Sequence, residues 1–178
     1  MEKFRLKNGF EVLVRNLNCD DYEAFCGFYE QLATETIFTN QYVGRPRRSR
    51  ESFEARLNDE NIYKLVALND DQKIIGVCSV VIERPEHPWL NKSCDFGIMI
   101  LREYTGKGLG FYMMKKMEEW ARTKKMHRIC AQVRAKNTAA IALYLKCGYE
   151  IEGMARDAAY IDGQWHHQYY IAKILDKE

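Results

Sequence analysis

Between Arg102 and Gly110 the chain reads Arg-Glu-Tyr-Thr-Gly-Lys-Gly-Leu-Gly, with Gly106, Gly108 and Gly110 at alternate positions ahead of a helical pattern. Alternating glycines let the backbone turn tightly and approach a ligand closely. Successive N–H groups of Thr105, Gly106, Lys107, Gly108, Leu109 and Gly110 can then point into one concavity. The positive end of the following helix adds to that field, so the chemistry offered is anion binding, and a pyrophosphate fits it. The spacing G-x-G-x-G is neither the dinucleotide fingerprint G-x-G-x-x-G nor the P-loop pattern, because Lys107 is followed by Gly108 instead of a hydroxyl residue. Further along, Asn137 and Tyr144 fall two turns apart on one face of a short helix, roughly 10 Å along its axis. One is suited to cap that helix and the other to pack beneath it. In company with the glycines they can also hold the two ends of one ligand.

The elements that must position these residues are legible from periodicity. Phe10 to Leu17 alternates as a strand, and Asp20, with Glu23 three positions on, is placed to cap an amphipathic helix through Tyr22, Phe25, Tyr29 and Leu32. Thr34 to Arg50 has no periodicity and reads as a loop, followed by a helix over Ser52 to Leu57. Tyr63 to Leu68 and Ile74 to Glu83 form a hairpin about Asn69-Asp-Asp-Gln72, and Cys94 to Leu101 is a strand leading into the glycines. Leu109 to Lys125 is a helix with Leu109, Met113, Met117, Trp120 and Ala121 on one face. Arg128 to Arg134 is a strand, and a helix opened by Asn137 ends near Cys147-Gly148. Two last strands, Tyr149 to Ile161 and Trp165 to Leu175, flank the hairpin signal Asp162-Gly163.

A chain of 178 residues with 47% apolar and 29% charged residues is expected to fold as one domain over 1–178. The net charge of +2 is too balanced for a dedicated nucleic-acid binder. The basic run Arg45-Pro-Arg-Arg-Ser-Arg50 reads as a solvated loop entering a helix at Ser49, with contact to a phosphate or an acidic partner as the alternative. No apolar run is long enough to span a membrane and the first residues carry no secretory pattern, so the expectation is a cytoplasmic protein without membrane attachment. The six cysteines are dispersed, without metal-ligand spacing, and are read as buried free thiols with no metal expected.

With these pieces in order, the sequence resembles the GNAT superfamily of N-acetyltransferases. Its R/Q-x-x-G-x-G/A signature aligns with Thr105, Gly108 and Gly110, and Asn137 to Tyr149 matches the N-x-x-A-x-x-x-Y-x-x-x-G-F/Y helix. Thr105 departs from the usual Arg or Gln, which shifts the expected phosphate contacts toward backbone N–H groups. The resemblance implies an α/β (α+β) fold. Its central sheet would be mixed, mostly antiparallel, of about seven strands, splayed between strands 4 and 5 and flanked by about four helices. It also implies an acetyl-CoA-dependent N-acetyltransferase, with the pantetheine arm pairing along Ile98, Met99 and Ile100 in the splayed gap.

An amine must lose a proton before it attacks a thioester. The resemblance points to Asp95, early on the same strand, or Glu83, at the end of a neighbouring strand, as acceptors of that proton. Backbone N–H groups near Met99 to Leu101 would stabilise the oxyanion, and Tyr144 would protonate the departing thiolate. The acceptor would enter between Glu35 to Arg50 and Tyr160 to Tyr170. Phe38, Tyr42, Tyr160, Trp165, His166 and His167, beside Glu35, Asp157 and Asp162, make a lining suited to a cationic amine. Small amines, polyamines, antibiotics and protein N-termini all fit this reading. The alternatives are a non-catalytic module that senses coenzyme A or docks a partner, and a nucleotide-dependent enzyme of another fold. A homodimer through the terminal hairpin is compatible with the sequence.

Overall fold

The computed structural model describes residues 2–175. Eight strands form one sheet in the order β1-β2-β3-β4-β5-β6-β8-β7. They are β1 (Glu2–Arg5), β2 (Glu11–Asn16), β3 (Ile62–Leu68), β4 (Ile74–Val81), β5 (Ser93–Ile100), β6 (Arg128–Arg134), β7 (Glu150–Ile161) and β8 (Gln164–Ile174). Every neighbouring pair is antiparallel except β5–β6, which is parallel. Helices α3 (Leu109–Thr123) and α4 (Thr138–Lys146) lie on one face, where Leu109, Met113, Met117 and Tyr144 join Ile75, Cys78, Ile129 and Val133 in the larger core. Helices α1 (Tyr22–Glu35) and α2 (Arg50–Leu57) cover the other face, packing Phe25, Phe28, Leu32 and Phe53 on Val66, Leu68, Ile74 and Val77. Alternation along each strand assigns residues to these two cores, as the twofold side-chain period requires.

The sheet has eight strands where about seven are expected from the sequence. The added one, β1, is four residues long and mostly exposed, so it offers no apolar alternation to read. Tertiary contacts hold it: Phe4 stacks on Tyr112 at 4.3 Å, and the Glu2 carboxylate accepts from Lys116 at 3.0 Å and from the Tyr112 hydroxyl. The splay expected between the fourth and fifth strands is therefore found between β5 and β6. The cap predicted at Asp20 belongs instead to Asn18, whose side chain accepts from Asp20 N–H while the Asp21 carboxylate accepts from Asn18 N–H. Asp21 is drawn into this role because the Arg15 guanidinium donates to both its oxygens at 2.6 and 2.8 Å. Ser49 caps α2 by accepting from Ser52 N–H at 3.2 Å. Asp162 and Gly163 both take positive φ in a two-residue turn, as the hairpin signal requires. Cys26, Cys78, Cys94 and Cys147 are buried, Cys130 is half-buried, and Cys19 departs from the expectation by being exposed. No helix among the described residues is long and apolar enough to cross a membrane.

Candidate active site

The gap in the sheet follows from where β5 stops pairing. Toward β4 its register is continuous, Asp95 opposite Val81 through Ile100 opposite Gly76. Toward β6 it pairs only over Ser93–Asp95, opposite Arg128–Cys130. Beyond that point the two strands diverge around a cavity of about 1020 Å³. It is lined by Phe96 to Ile100 on one side and Ala131 to Arg134 on the other, with Asn137, Ala140, Leu143 and Tyr144 of the α4 segment beneath. Leu101 N–H donates to Ile75 at 2.9 Å. Backbone groups alternate between the two edges of a strand, so Met99 and Gly97 bond into β4, while Ile98, Ile100 and Phe96 turn their peptide groups to the gap. Of the three residues expected to pair with a ligand, Ile98 and Ile100 are presented for it and Met99 is not.

The glycine segment forms the mouth. Gly106 (φ +71°) and Gly108 (φ +92°) are left-handed, and Gly108 is the N-cap of α3. The first bond of that helix runs from Tyr112 N–H to the Gly108 carbonyl, so the N–H groups of Leu109, Gly110 and Phe111 precede the ladder, and Gly110 and Phe111 line the cavity where an anion can meet them. Gly110 has another use. A Cβ there would lie 2.9 Å from Leu143, so this glycine lets α3 and α4 pack closely. Thr105 turns its hydroxyl back to the Arg102 carbonyl at 2.8 Å, and its side chain is thereby occupied. Lys107 places its ammonium 5.6 Å from the Tyr104 ring, and its carbonyl accepts from Lys7 N–H at 3.0 Å. The turn between β1 and β2 thus anchors the loop. Leu109 is fully buried, backbone included, and stands outside the cavity lining.

Asn137 does cap α4, accepting from Ala140 N–H at 3.2 Å, and also lines the cavity at its mouth. Tyr144 sits deeper, 7% exposed, with its ring edge-on to Phe96 at 5.4 Å. Burial, reinforced by Cys147, pushes its phenol up to about 12, and its hydroxyl has no hydrogen-bond partner among the described residues. The phenol is therefore kept protonated. Asp95 lines the cavity where β5 and β6 still pair, and its carboxylate accepts from the Cys130 thiol at 3.4 Å. Burial and then the Asp95 charge raise the Cys130 thiol pKa. Glu83 lies beyond the end of β4, exposed and away from this lining.

Several residues at the site carry no motif. Arg134 is buried in the cavity wall, its pKa lowered by burial, and donates to Asn40 at 3.4 Å while its Nε has no partner among the described residues. Its sequence signal is a charged residue in register on a half-buried strand. Of the two segments expected to wall the acceptor, the first does so over residues 35–41. The other supplies only Gln168, because Tyr160 and Trp165 pack against each other at the exposed hairpin tip, their ring planes tilted by 50°. Glu35 is engaged by Gln31 and by Arg102 N–H, both at 2.7 Å, and the Asp157 N–H donates to His167 Nδ1 at 3.0 Å. Of the acidic and aromatic lining expected for a cationic acceptor, only Glu35 and Phe38 line the gap.

The model of the acetyltransferase (GNAT) family matches residues 20–149. The L-amino acid N-acetyltransferase AaaT of Escherichia coli strain K12 is 27% identical over 92% of this chain and 98% of its own length. Among solved structures, an acetyltransferase of the GNAT family from Streptococcus pneumoniae superposes with TM-score 0.85 at 26% identity, covering 93% of this chain and 99% of the other. The phosphinothricin acetyltransferase of Sinorhizobium meliloti in complex with acetyl-CoA shares the fold at TM-score 0.79 and 17% identity, over 92% and 88% of the two chains.

Proposed function

The chain belongs to the acetyltransferase (GNAT) family and is an acetyl-CoA-dependent N-acetyltransferase, and from that premise we propose that it acetylates a primary amine by direct attack on the thioester. The observation that carries this reading is the gap between β5 and β6, with free helix N–H groups at its mouth and the Tyr144 hydroxyl at depth. Acetyl-coenzyme A supplies an acyl group activated as a thioester. The N–H groups of Gly110 and Phe111, with those of the Thr105–Gly108 turn and the Lys107 charge, would hold its pyrophosphate. Ile98 and Ile100 would pair with the pantetheine amides as a neighbouring strand does, and Asn137 would bound the arm at the mouth.

Asp95, which lines the gap, would take the proton from the incoming ammonium, leaving a lone pair for the carbonyl carbon. Tyr144, kept protonated by its burial, would give its proton to the departing sulfur as the C–S bond breaks. Gly97, two residues beyond Asp95 on β5, has only Ser79 Oγ near its missing side chain, at 3.8 Å, so the sheet is open there for an acceptor. The test is titration with acetyl-CoA, followed by a panel of amines with release of free thiol as the readout. Failure to bind acetyl-CoA would overturn the site assignment. The exposed edge strand β7, carrying Ile151 and Met154, is the surface on which a homodimer would form, which light scattering on the purified protein tests.

A further inference from the structure

A second cavity, of about 680 Å³, lies against the α1/α2 face of the sheet, between those helices and the loop before α2. Its lining is basic: Arg45, Arg47, Arg48, Arg56 and Lys64 against the single acid Glu30. Glu30 is already taken, since Arg47 donates to both its oxygens at 2.6 and 3.0 Å. Arg45 donates to the Asn40 carbonyl. Arg48, Arg56 and Lys64 have no ion-pair partner among the described residues. Lys64 stands out. It is 8% exposed, and its Nζ and the Arg56 Nε are buried without a hydrogen-bond partner among the described residues. The Nζ lies 5.8 and 5.9 Å from the rings of Phe25 and Phe53, which line the same cavity. A buried, unpaired ammonium beside two guanidinium groups is unfavourable unless something anionic completes it.

The cavity also points at the reaction. Lys64 pairs with Ser79, and Ser79 pairs with Gly97, so three side-chain positions run across β3, β4 and β5 on one face toward the gap. At about 4.8 Å between strands, Lys64 and Gly97 are roughly 10 Å apart in the backbone. Gln41 lines both cavities. We propose that this cavity binds the far end of the acceptor, and that the acceptor is a primary amine bearing an anionic group, a carboxylate or a phosphate, held by Lys64, Arg48 and Arg56. This rests on the acetyltransfer reading above and adds its substrate class. The low pKa of Lys64, brought down to about 8 by burial and then by Arg56 and Arg48, agrees: a bound anion would restore the charged form.

The test compares acceptors that differ only in that group: L-phenylalanine against L-phenylalaninamide, and phosphoethanolamine against ethanolamine. Thiol release from acetyl-CoA gives kcat/KM, and calorimetry gives binding to the protein saturated with coenzyme A. The expected result is at least a tenfold preference for one anionic acceptor over its neutral partner, and the pair that shows it identifies carboxylate or phosphate. In Lys64→Met and in Arg56→Gln that preference falls at least fivefold, chiefly through KM. Equal use of charged and neutral acceptors, or a preference unmoved by both substitutions, overturns the proposal while leaving acetyl transfer intact. If no amine releases thiol, the acetyltransfer reading fails, and the calorimetric preference still decides the anion site.

Discussion

Replacing Lys64 by Met is expected to make the protein more stable while stripping it of its anion site. The side chain is buried on the sheet under α1 and α2, and its pKa is brought from the ordinary 10.5 to about 8, first by burial and then by the charges of Arg56 and Arg48. At about 1.4 kcal/mol per pH unit, carrying that charge in the fold costs on the order of 3 kcal/mol at neutral pH. The rings of Phe25 and Phe53 return part of this, so the gain for Lys64→Met, which keeps the apolar stem, is about 1–3 kcal/mol. Between pH 8 and 10.5 the unfolded chain holds more of this proton than the folded one. Wild-type stability from this group therefore rises with pH across that window. The advantage of the variant is largest at pH 7 and shrinks toward pH 10. Urea unfolding of both proteins at pH 7, 8, 9 and 10, in buffer free of carboxylate and phosphate, measures it. A variant less stable than wild type at pH 7, or an advantage that does not change with pH, would refute a desolvated, unpaired Lys64.

Four further outcomes follow from the geometry. Tyr144→Phe is expected to lower kcat about 100-fold or more with little change in the acetyl-CoA Kd, because it removes a proton donor and keeps the ring packed against Phe96; steady-state kinetics and a binding titration separate the two. Asp95→Asn is expected to lower kcat/KM by about 100-fold near neutral pH and to recover part of it at alkaline pH, where more of the free amine arrives deprotonated; a pH–rate profile checks this. Gly110→Ala drives a methyl to within 2.9 Å of Leu143 and is expected to cost about 1–3 kcal/mol in denaturant unfolding, with the acetyl-CoA affinity reduced as α4 is displaced. Asp21→Ala leaves Arg15 unpaired and removes the carboxylate that receives Asn18 N–H, for a loss of about 1–3 kcal/mol. Despite burial, the Arg15 pair and the Asn18 N–H hold the Asp21 pKa below its usual 3.8. Its stabilisation is therefore present above pH 3.8 and lost as pH falls through the folded value, which acid unfolding of wild type and variant compares.

The donor half of the site was open to reading because it is local. Glycines at 106, 108 and 110 act through the backbone of one turn and the start of one helix, and Asn137 and Tyr144 through the pitch of another, so spacing along the chain is spacing in the molecule. The same holds for the Asp162-Gly163 turn and the alternating strands. β1 escaped because its place depends on Phe4 meeting Tyr112 and Glu2 meeting Lys116, over a hundred residues away. The cap passed from Asp20 to Asn18 because Arg15, on the preceding strand, claims Asp21. Met99 lost its place as a backbone partner through the register of β4 on β5, which decides which peptide groups face the gap.

The acceptor half is tertiary throughout. Lys64 reads as one polar residue in an apolar strand, and Arg48 as one member of a solvated run. Only the closure of α1, α2 and the intervening loop over β3 and β4 buries the first and turns the second toward it. Tyr160 and Trp165, plausible as part of a cation site by type, pair with each other across the hairpin tip, and the Glu35 carboxylate is withdrawn by Arg102 N–H, a partner that spacing does not reveal. The chain by itself determined the acetyl donor, through residues whose geometry is set within a helix turn. Which charges remain unpaired around the acceptor was decided by the fold, because desolvation and pairing depend on everything packed nearby.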